Sequence, residues 1–315
     1  MLFKTCLLAD LGATNARFSI TQDGLSFEKE MDLKISDFDS IDALCKHYLT
    51  SLKGIAVKKA IIGVAAPVIG DLVTFVNCDL KFSIRKLNKF FSDGLYVIND
   101  LALQAHAVNT LSSDNIKKIG RTKPFIDGPK ILVAPGTGLG LAAISTGNVT
   151  STEAGHLIIP KINGEKELNK ILDNFYKKFN RMPTFENLLS GKGLKFIYEI
   201  ISSKDCKFSN EEILNRCDID ITCLKVKDIL SYIYATYIRS MALAHGSTGG
   251  VYLTGSLTES LLSGLDANNF RSTFEDSASM KDMLTSIPIF IIDLNDLGFY
   301  GALVLSRRMN AGEVL

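Results

Sequence analysis

Apolar positions along the chain change period repeatedly, from short continuous runs bounded by turn residues to spacings of three and four. Runs of the first kind mark strands and spacings of the second kind mark amphipathic helices. Residues 4–8 and 16–21 predict two strands around a glycine-containing turn, and residues 59–65 and 95–98 predict two more. Residues 101–111 have helical spacing. Residues 121–130, with Pro124, Gly128 and Pro129, predict a loop close to a domain boundary. Beyond it, residues 131–134 and 139–145 repeat the strand, turn, strand plan. Residues 166–179 and 226–244 are long helical patterns, residues 250–254 and 287–293 predict strands, and residues 298–308 predict a closing helix. Strands alternating with helices predict an α/β fold.

The two strand–turn–strand units share more than their period. TCLLADLGATNARFSIT and KILVAPGTGLGLAAIST each place a Gly/Thr turn between an apolar strand and a strand of small and apolar residues. One supersecondary unit used twice predicts two related domains facing one ligand. Length agrees, since 315 residues at about 150 per domain suggest two domains.

Composition narrows the classes. Lys+Arg of 35 against Asp+Glu of 34 argues against a blanket basic surface for nucleic acid or a polybasic membrane anchor. The opening apolar run stops at Asp10, short of a secretory signal. Residues 131–152 carry no charge and are long enough to span a bilayer, but Pro135, Gly136, Gly138, Gly140 and Gly147 mark them as buried structure of a soluble domain. The six cysteines are scattered without a C-x-x-C pair, which predicts reduced thiols and no zinc. A cytoplasmic protein follows.

Candidate chemistry gathers at the turns. Asp10, Gly12, Thr14 and Asn15 offer turn amides and short polar side chains to phosphate oxygens, with Asp10 placed to hold a nucleotide's magnesium; a plain hairpin fits the same residues. Gly136, Thr137 and Gly138 follow an apolar strand and allow close backbone approach to phosphate, yet match neither the P-loop nor the dinucleotide fingerprint. Asn99 and Asp100 join a strand to a helix, where Asp100 fits either a helix cap or a general base. Glu153 and His156 on a glycine-containing turn, and Glu186 ahead of Ser190, fit the binding of adjacent polyol hydroxyls or ordinary solvated positions. Gly255 ends a strand flanked by glycines. Arg17 has no assigned role.

In order along nearly the whole chain, DLGATNAR, AAPVIGD, VNCDLKFSI, VINDLALQA, APGTGLG, EAGH, ENLLSGKGL and TGGVYLTGSL resemble the motifs of the bacterial-type glucokinase family. The resemblance implies a two-domain actin-like ATPase (ribonuclease H-like) fold with a cleft between domains, residues 1–110 plus 296–315 forming the smaller and 111–295 the larger. It implies ATP-dependent phosphorylation of glucose at the C6 hydroxyl, the first step of glycolysis, with ATP and Mg2+ as cofactors, in a cytoplasmic homodimer without nucleic-acid or membrane partners. By resemblance Asp100 is the base, and Asn99, Glu153, His156 and Glu186 hold sugar hydroxyls. Asp10, Gly12, Thr14, Asn15, Gly136, Thr137 and Gly138 face phosphates and metal, and Gly255 lies near adenosine. Two positions depart from the family pattern, Ala13 and Ser256, where the family usually carries glycine. The alternatives are a kinase for mannose, N-acetylglucosamine or another hexose, or a non-catalytic sugar sensor on the same scaffold.

Overall fold

The computed structural model describes residues 3–75, 80–121, 127–264 and 266–315. The chain divides into two compact units, one formed by Met1–Leu111 with Leu294–Leu315 and the other by Ser112–Asp293.

The first unit is built on β1 (Cys6–Leu11), β2 (Asn15–Thr21), β3 (Glu28–Lys34), β4 (Lys59–Val64) and β7 (Leu95–Asn99), in the spatial order β3-β2-β1-β4-β7. The first three strands form an antiparallel meander, and β4 and β7 run parallel to β1. A separate ribbon pairs β5 (Leu72–Thr74) with β6 (Lys81–Ser83). The sequence of β4, KAIIGV, is buried throughout, as expected of a parallel strand covered on both faces. Side chains alternate across β1. Leu7, Ala9 and Leu11 pack with Leu44, Cys45 and Tyr48 of the helix Ile41–Ser51. Cys6 and Leu8 face the other way, into a cluster with Leu103, Phe299, Ala302 and Leu305. By the same alternation Asp10 points to the face that the C-terminal helix, Leu297–Asn310, covers.

The second unit repeats the plan. Its strands are β8 (Ile116–Lys118), β9 (Lys130–Pro135), β10 (Leu139–Ser145), β11 (Asn148–Thr152), β12 (Gly250–Leu253) and β13 (Ile289–Ile292), ordered β11-β10-β9-β12-β13-β8. Again an antiparallel meander opens the sheet and two strands, β12 and β13, continue it in parallel. The repeat seen in the sequence as one hairpin thus extends over five strands. The uncharged residues 131–152 form β9, β10 and β11 with the turns between them, buried as expected in β9 and much of β10 but largely exposed in β11, and among the described residues no helix is long and apolar enough to cross a membrane. The helix Ile221–Ala244 runs through the core, burying Leu230, Tyr234, Tyr237 and Ile238. It starts five residues before the apolar pattern at 226, because Asp220 caps it by accepting from the amides of Thr222 at 2.8 Å and Cys223 at 3.3 Å.

Residues 76–79, within the motif VNCDLKFSI, and residues 122–126, within the predicted loop 121–130, lie outside the described residues. Cys78 falls there; the other five cysteines are free thiols.

Candidate active site

In the first unit the polar residues gather where β1, β4 and β7 end. The register pairs Asp10 with Gly63 and Gly63 with Ile98, so Asn99 and Asp100 follow directly. Chain ends of parallel strands are the usual ligand edge of an open α/β sheet. Gly12 donates its amide to the Asn15 carbonyl at 3.0 Å and closes the β1–β2 turn, leaving Thr14 and Asn15 exposed at its tip. Among the described residues Ala13 is not one of those with positive φ, so the alanine sits there without backbone strain.

Asn99 and Asp100 divide the work at the start of the helix Asp100–Ala107. The cap is Asn99, whose side-chain oxygen accepts from Leu101 and Ala102 at 3.1 Å each. Asp100 is the first helical residue, and its Oδ1 accepts from the Leu101 amide at 2.8 Å and the Asn99 side-chain amide at 3.0 Å. The cap expected of Asp100 therefore belongs to its neighbour. Gly63 makes room for this junction, since a Cβ there would lie 3.5 Å from the Asp100 Cα and 2.6 Å from Leu103 Cδ2.

Asp10 is half-buried at this edge. A Cβ on Gly298, in the first turn of the C-terminal helix, would stand 3.2 Å from its Oδ2. Burial pushes the Asp10 carboxyl up to about 7; the negative charge of Asp100 adds to the rise and Arg17 opposes it. Arg17 is the residue that sequence reasoning left without a role. It pairs with Asp296 and with Asp32, the latter at 3.4 Å, and its guanidinium lies 5.2 Å from the Phe299 ring centroid. Arg17 faces Asp10 in the β1–β2 register, a signal that the hairpin carried.

In the second unit four segments meet at the β9–β10 turn. Gly136 donates to the Gly138 carbonyl at 2.8 Å, which tightens the turn, and accepts from the Gly191 amide at 3.1 Å. Thr137 is exposed at the tip. Glu186, on the short helix Phe185–Leu188, accepts from the Leu139 amide at 3.0 Å through Oε2. Gly138 has to be glycine for this approach, because a Cβ would fall 2.7 Å from that same oxygen. Gly155 likewise lies against the Leu139 carbonyl with no room for a Cβ. The result brings Glu153, His156 and Glu186 together. His156 Nε2 is 3.7 Å from Glu153 Oε2, and its Nδ1 is 4.0 Å from Glu186 Oε1. Glu153 and His156 are exposed and Glu186 is half-buried.

Gly255 adjoins the same turn. Its φ is +93°, in the region that favours glycine, and a Cβ would meet the Pro135 carbonyl oxygen at 2.6 Å. Ser256, which replaces a second glycine, opens the helix Ser256–Leu262; its Oγ would stand 3.7 Å from a Cβ on Gly136. The turn therefore accommodates the serine.

Comparisons with known proteins converge on one family. The glucokinase family profile matches residues 7–309. The glucokinase of Neisseria meningitidis (serogroup C / serotype 2a) is 30% identical over 307 residues, covering 94% of this chain and 93% of that protein. That of Helicobacter pylori (strain ATCC 700392 / 26695) is 32% identical over 317 residues, covering 94% of each. Among solved structures, a glucokinase from an Antarctic psychrotroph superposes with a TM-score of 0.84 at 24% identity, covering 97% of this chain and 99% of that one. Together with the twice-used strand order, this likeness shows the actin-like ATPase fold of the sugar kinases.

Proposed function

The chain belongs to the glucokinase family, and on that premise we propose that it is an ATP-dependent hexose kinase that phosphorylates glucose at the C6 hydroxyl. The observation that carries this reading is the match over residues 7–309 with relatives of nearly equal length. The two polar clusters, each at the end of its sheet's meander, support it.

Asp100 is the general base. Its carboxylate sits on rigid structure, fixed through Oδ1 by a backbone amide and by the Asn99 side chain. It takes the proton of the C6 hydroxyl as that oxygen bonds to the γ-phosphorus and the bond to the ADP oxygen breaks. Phosphoryl transfer asks for positioning and charge neutralisation more than covalent chemistry. Glu153, His156, Glu186 and Asn99 hold the remaining hydroxyls. An analogue lacking one leaves a polar group unpaired, at a cost of about 1–3 kcal/mol. The amides and side chains of Gly12, Thr14 and Asn15, and of Gly136, Thr137 and Gly138, receive the phosphates, with Gly255 toward the adenosine.

Asp10 fits a magnesium ion. It is an oxygen donor that feels the charge of a second carboxylate, Asp100, and the cation that acts on it, Arg17, is already engaged by Asp296 and Asp32. Holding such a group ionised at neutral pH is unfavourable, and a hard divalent cation offsets that. Asp10 would hold the ion directly or through water, and the ion would neutralise charge on the phosphates. On the same reading the protein acts in the cytoplasm, at the entry of glucose into glycolysis, as a homodimer; sedimentation as a monomer at working concentration would remove the last point.

The test of the activity is ADP release from ATP and magnesium with a panel of hexoses, 6-deoxyglucose serving as control. Release with glucose and none with 6-deoxyglucose is expected. Equal release without sugar, or none with any hexose from protein that binds ATP, would overturn the reading.

A further inference from the structure

Behind Glu186 the structure keeps a polar group that the reaction just described does not use. Tyr237 belongs to the helix Ile221–Ala244 and is fully buried. Its hydroxyl is also buried, and it has no hydrogen-bond partner among the described residues. The neighbouring Tyr234, equally buried on the same helix, is different: its hydroxyl lies 3.0 Å from Thr258 Oγ1 and is satisfied. Buried hydroxyls in folded proteins are nearly always paired, and an unpaired one on rigid structure asks for a reason. A phenylalanine would fill the same volume without that penalty.

The surroundings supply the reason. The Tyr237 ring packs on Phe185, with centroids 4.9 Å apart and planes inclined at 48°, and Phe185 immediately precedes Glu186 on the short helix Phe185–Leu188. Tyr237 is thus locked to the base of the segment that presents the Glu186 carboxylate. Burial raises the phenol's pKa, and the negative charge of Glu186 raises it further, so the hydroxyl keeps its proton and remains a donor at any working pH. Among the described residues Glu186 accepts the Leu139 amide through Oε2, while Oε1 faces His156 at 4.0 Å. A carboxylate has about four acceptor positions, so it can take a second donor while it binds a sugar hydroxyl.

We infer that Tyr237 is a positioning residue for sugar binding: its hydroxyl donates to Glu186 when the hexose is bound and fixes the carboxylate in the orientation that recognises the sugar. The inference rests on the proposed role of Glu186. Tyr237 itself need not touch the sugar. The donor is pre-placed on a core helix, and the carboxylate on a four-residue helix is the partner that adjusts.

The substitution Tyr237→Phe separates this from a merely structural role. A structural tyrosine whose hydroxyl has no partner would lose nothing on its removal, and the variant would melt at or above the wild-type temperature with unchanged kinetics. The inference expects the same unimpaired melting temperature without sugar but a glucose KM raised about three- to tenfold, the usual net worth of one hydrogen bond. The turnover number should change less, and the rise in melting temperature produced by glucose should shrink.

Glu186→Ala and the double variant complete a cycle. The effect of Tyr237→Phe on KM should largely vanish in the Glu186→Ala background, because alanine removes the acceptor and the two act through one contact. Unchanged KM and unchanged glucose-induced stabilisation in Tyr237→Phe, or equal effects in both backgrounds, would overturn the inference while leaving Glu186 in place. Normal glucose affinity in Glu186→Ala would instead overturn the sugar-binding role of Glu186, and the inference with it.

Discussion

Asp100 and Gly138 make opposite demands on an experiment. Asp100→Ala removes the proposed base from a helix whose cap, Asn99, stays in place through its bonds to Leu101 and Ala102. Folding should survive, and the turnover number should fall by roughly two to four orders of magnitude while glucose affinity falls less. Single-turnover kinetics would check this, and near-normal turnover would exclude the role. Gly138→Ala places a methyl group 2.7 Å from Glu186 Oε2. The atom it meets is the tip of a flexible side chain, so stability should change by about 1 kcal/mol or less, whereas glucose KM should rise on the order of tenfold as the carboxylate is displaced. Thermal melting beside steady-state kinetics separates the two effects. His106 makes a different demand. Burial, and then the charge of Arg308, hold its pKa down to about 4 from an ordinary value near 6.5. The unfolded chain therefore binds a proton that the folded chain refuses between those values, and stability falls as pH drops from about 6.5 to 4. For a half-buried ring the loss is discounted to about 1–2 kcal/mol. His106→Gln should flatten the urea midpoint between pH 7 and pH 4.5; an unchanged slope would place the proton uptake elsewhere.

The helices Asp100–Ala107 and Leu297–Asn310 touch through a glycine. At Gly301 a Cβ would overlap the carbonyl oxygen of Leu103, so Gly301→Ala must push two packed helices apart, at a cost of about 1–3 kcal/mol. Urea denaturation would show it, and a loss under 0.5 kcal/mol would mean that the helices yield easily. How much of this was legible before the fold varied with the physics of each segment. The helix at 166–179 carries a strongly sided pattern and emerges with those bounds, as Lys166–Phe179. The buried strands β1, β4 and β9 announce themselves as apolar runs, to within a few residues at each end. The third strand of the first meander, EKEMDLK, stayed hidden because an edge strand exposed along most of its length has no apolar run to show. The glycine turns could be read as places where backbone approaches something. What approaches Gly138 could not be read, because Glu186 reaches the adjacent Leu139 amide from 47 positions away. Sequence spacing holds no information about a contact made by the tertiary fold, and the same applies to the Phe185–Tyr237 packing.

The two units have separate cores, one centred on Tyr237 and Ile131, the other on Leu7 and Tyr48 with a second layer at Leu8 and Phe299. Separate cores permit separate melting, so the calorimetric enthalpy of unfolding should exceed the van 't Hoff value. Coincidence of the two would make unfolding a single event. The resemblance motifs run through both units, which is why the fold class could be reached from the sequence although the five-strand repeat could be seen there only as a hairpin. The split path of the chain also has a consequence for manufacture. The helix Leu297–Asn310, which covers Cys6, Leu8 and Ile61, belongs to the first unit but follows the whole of the second. On a translating ribosome the opening sheet must wait, one face bare, while some 180 residues of a self-sufficient partner emerge and collapse. Nascent chains are thus most exposed to chaperones and proteases at their oldest part. A premature stop that removes only the last turns leaves the newest half intact and the oldest half unfinished.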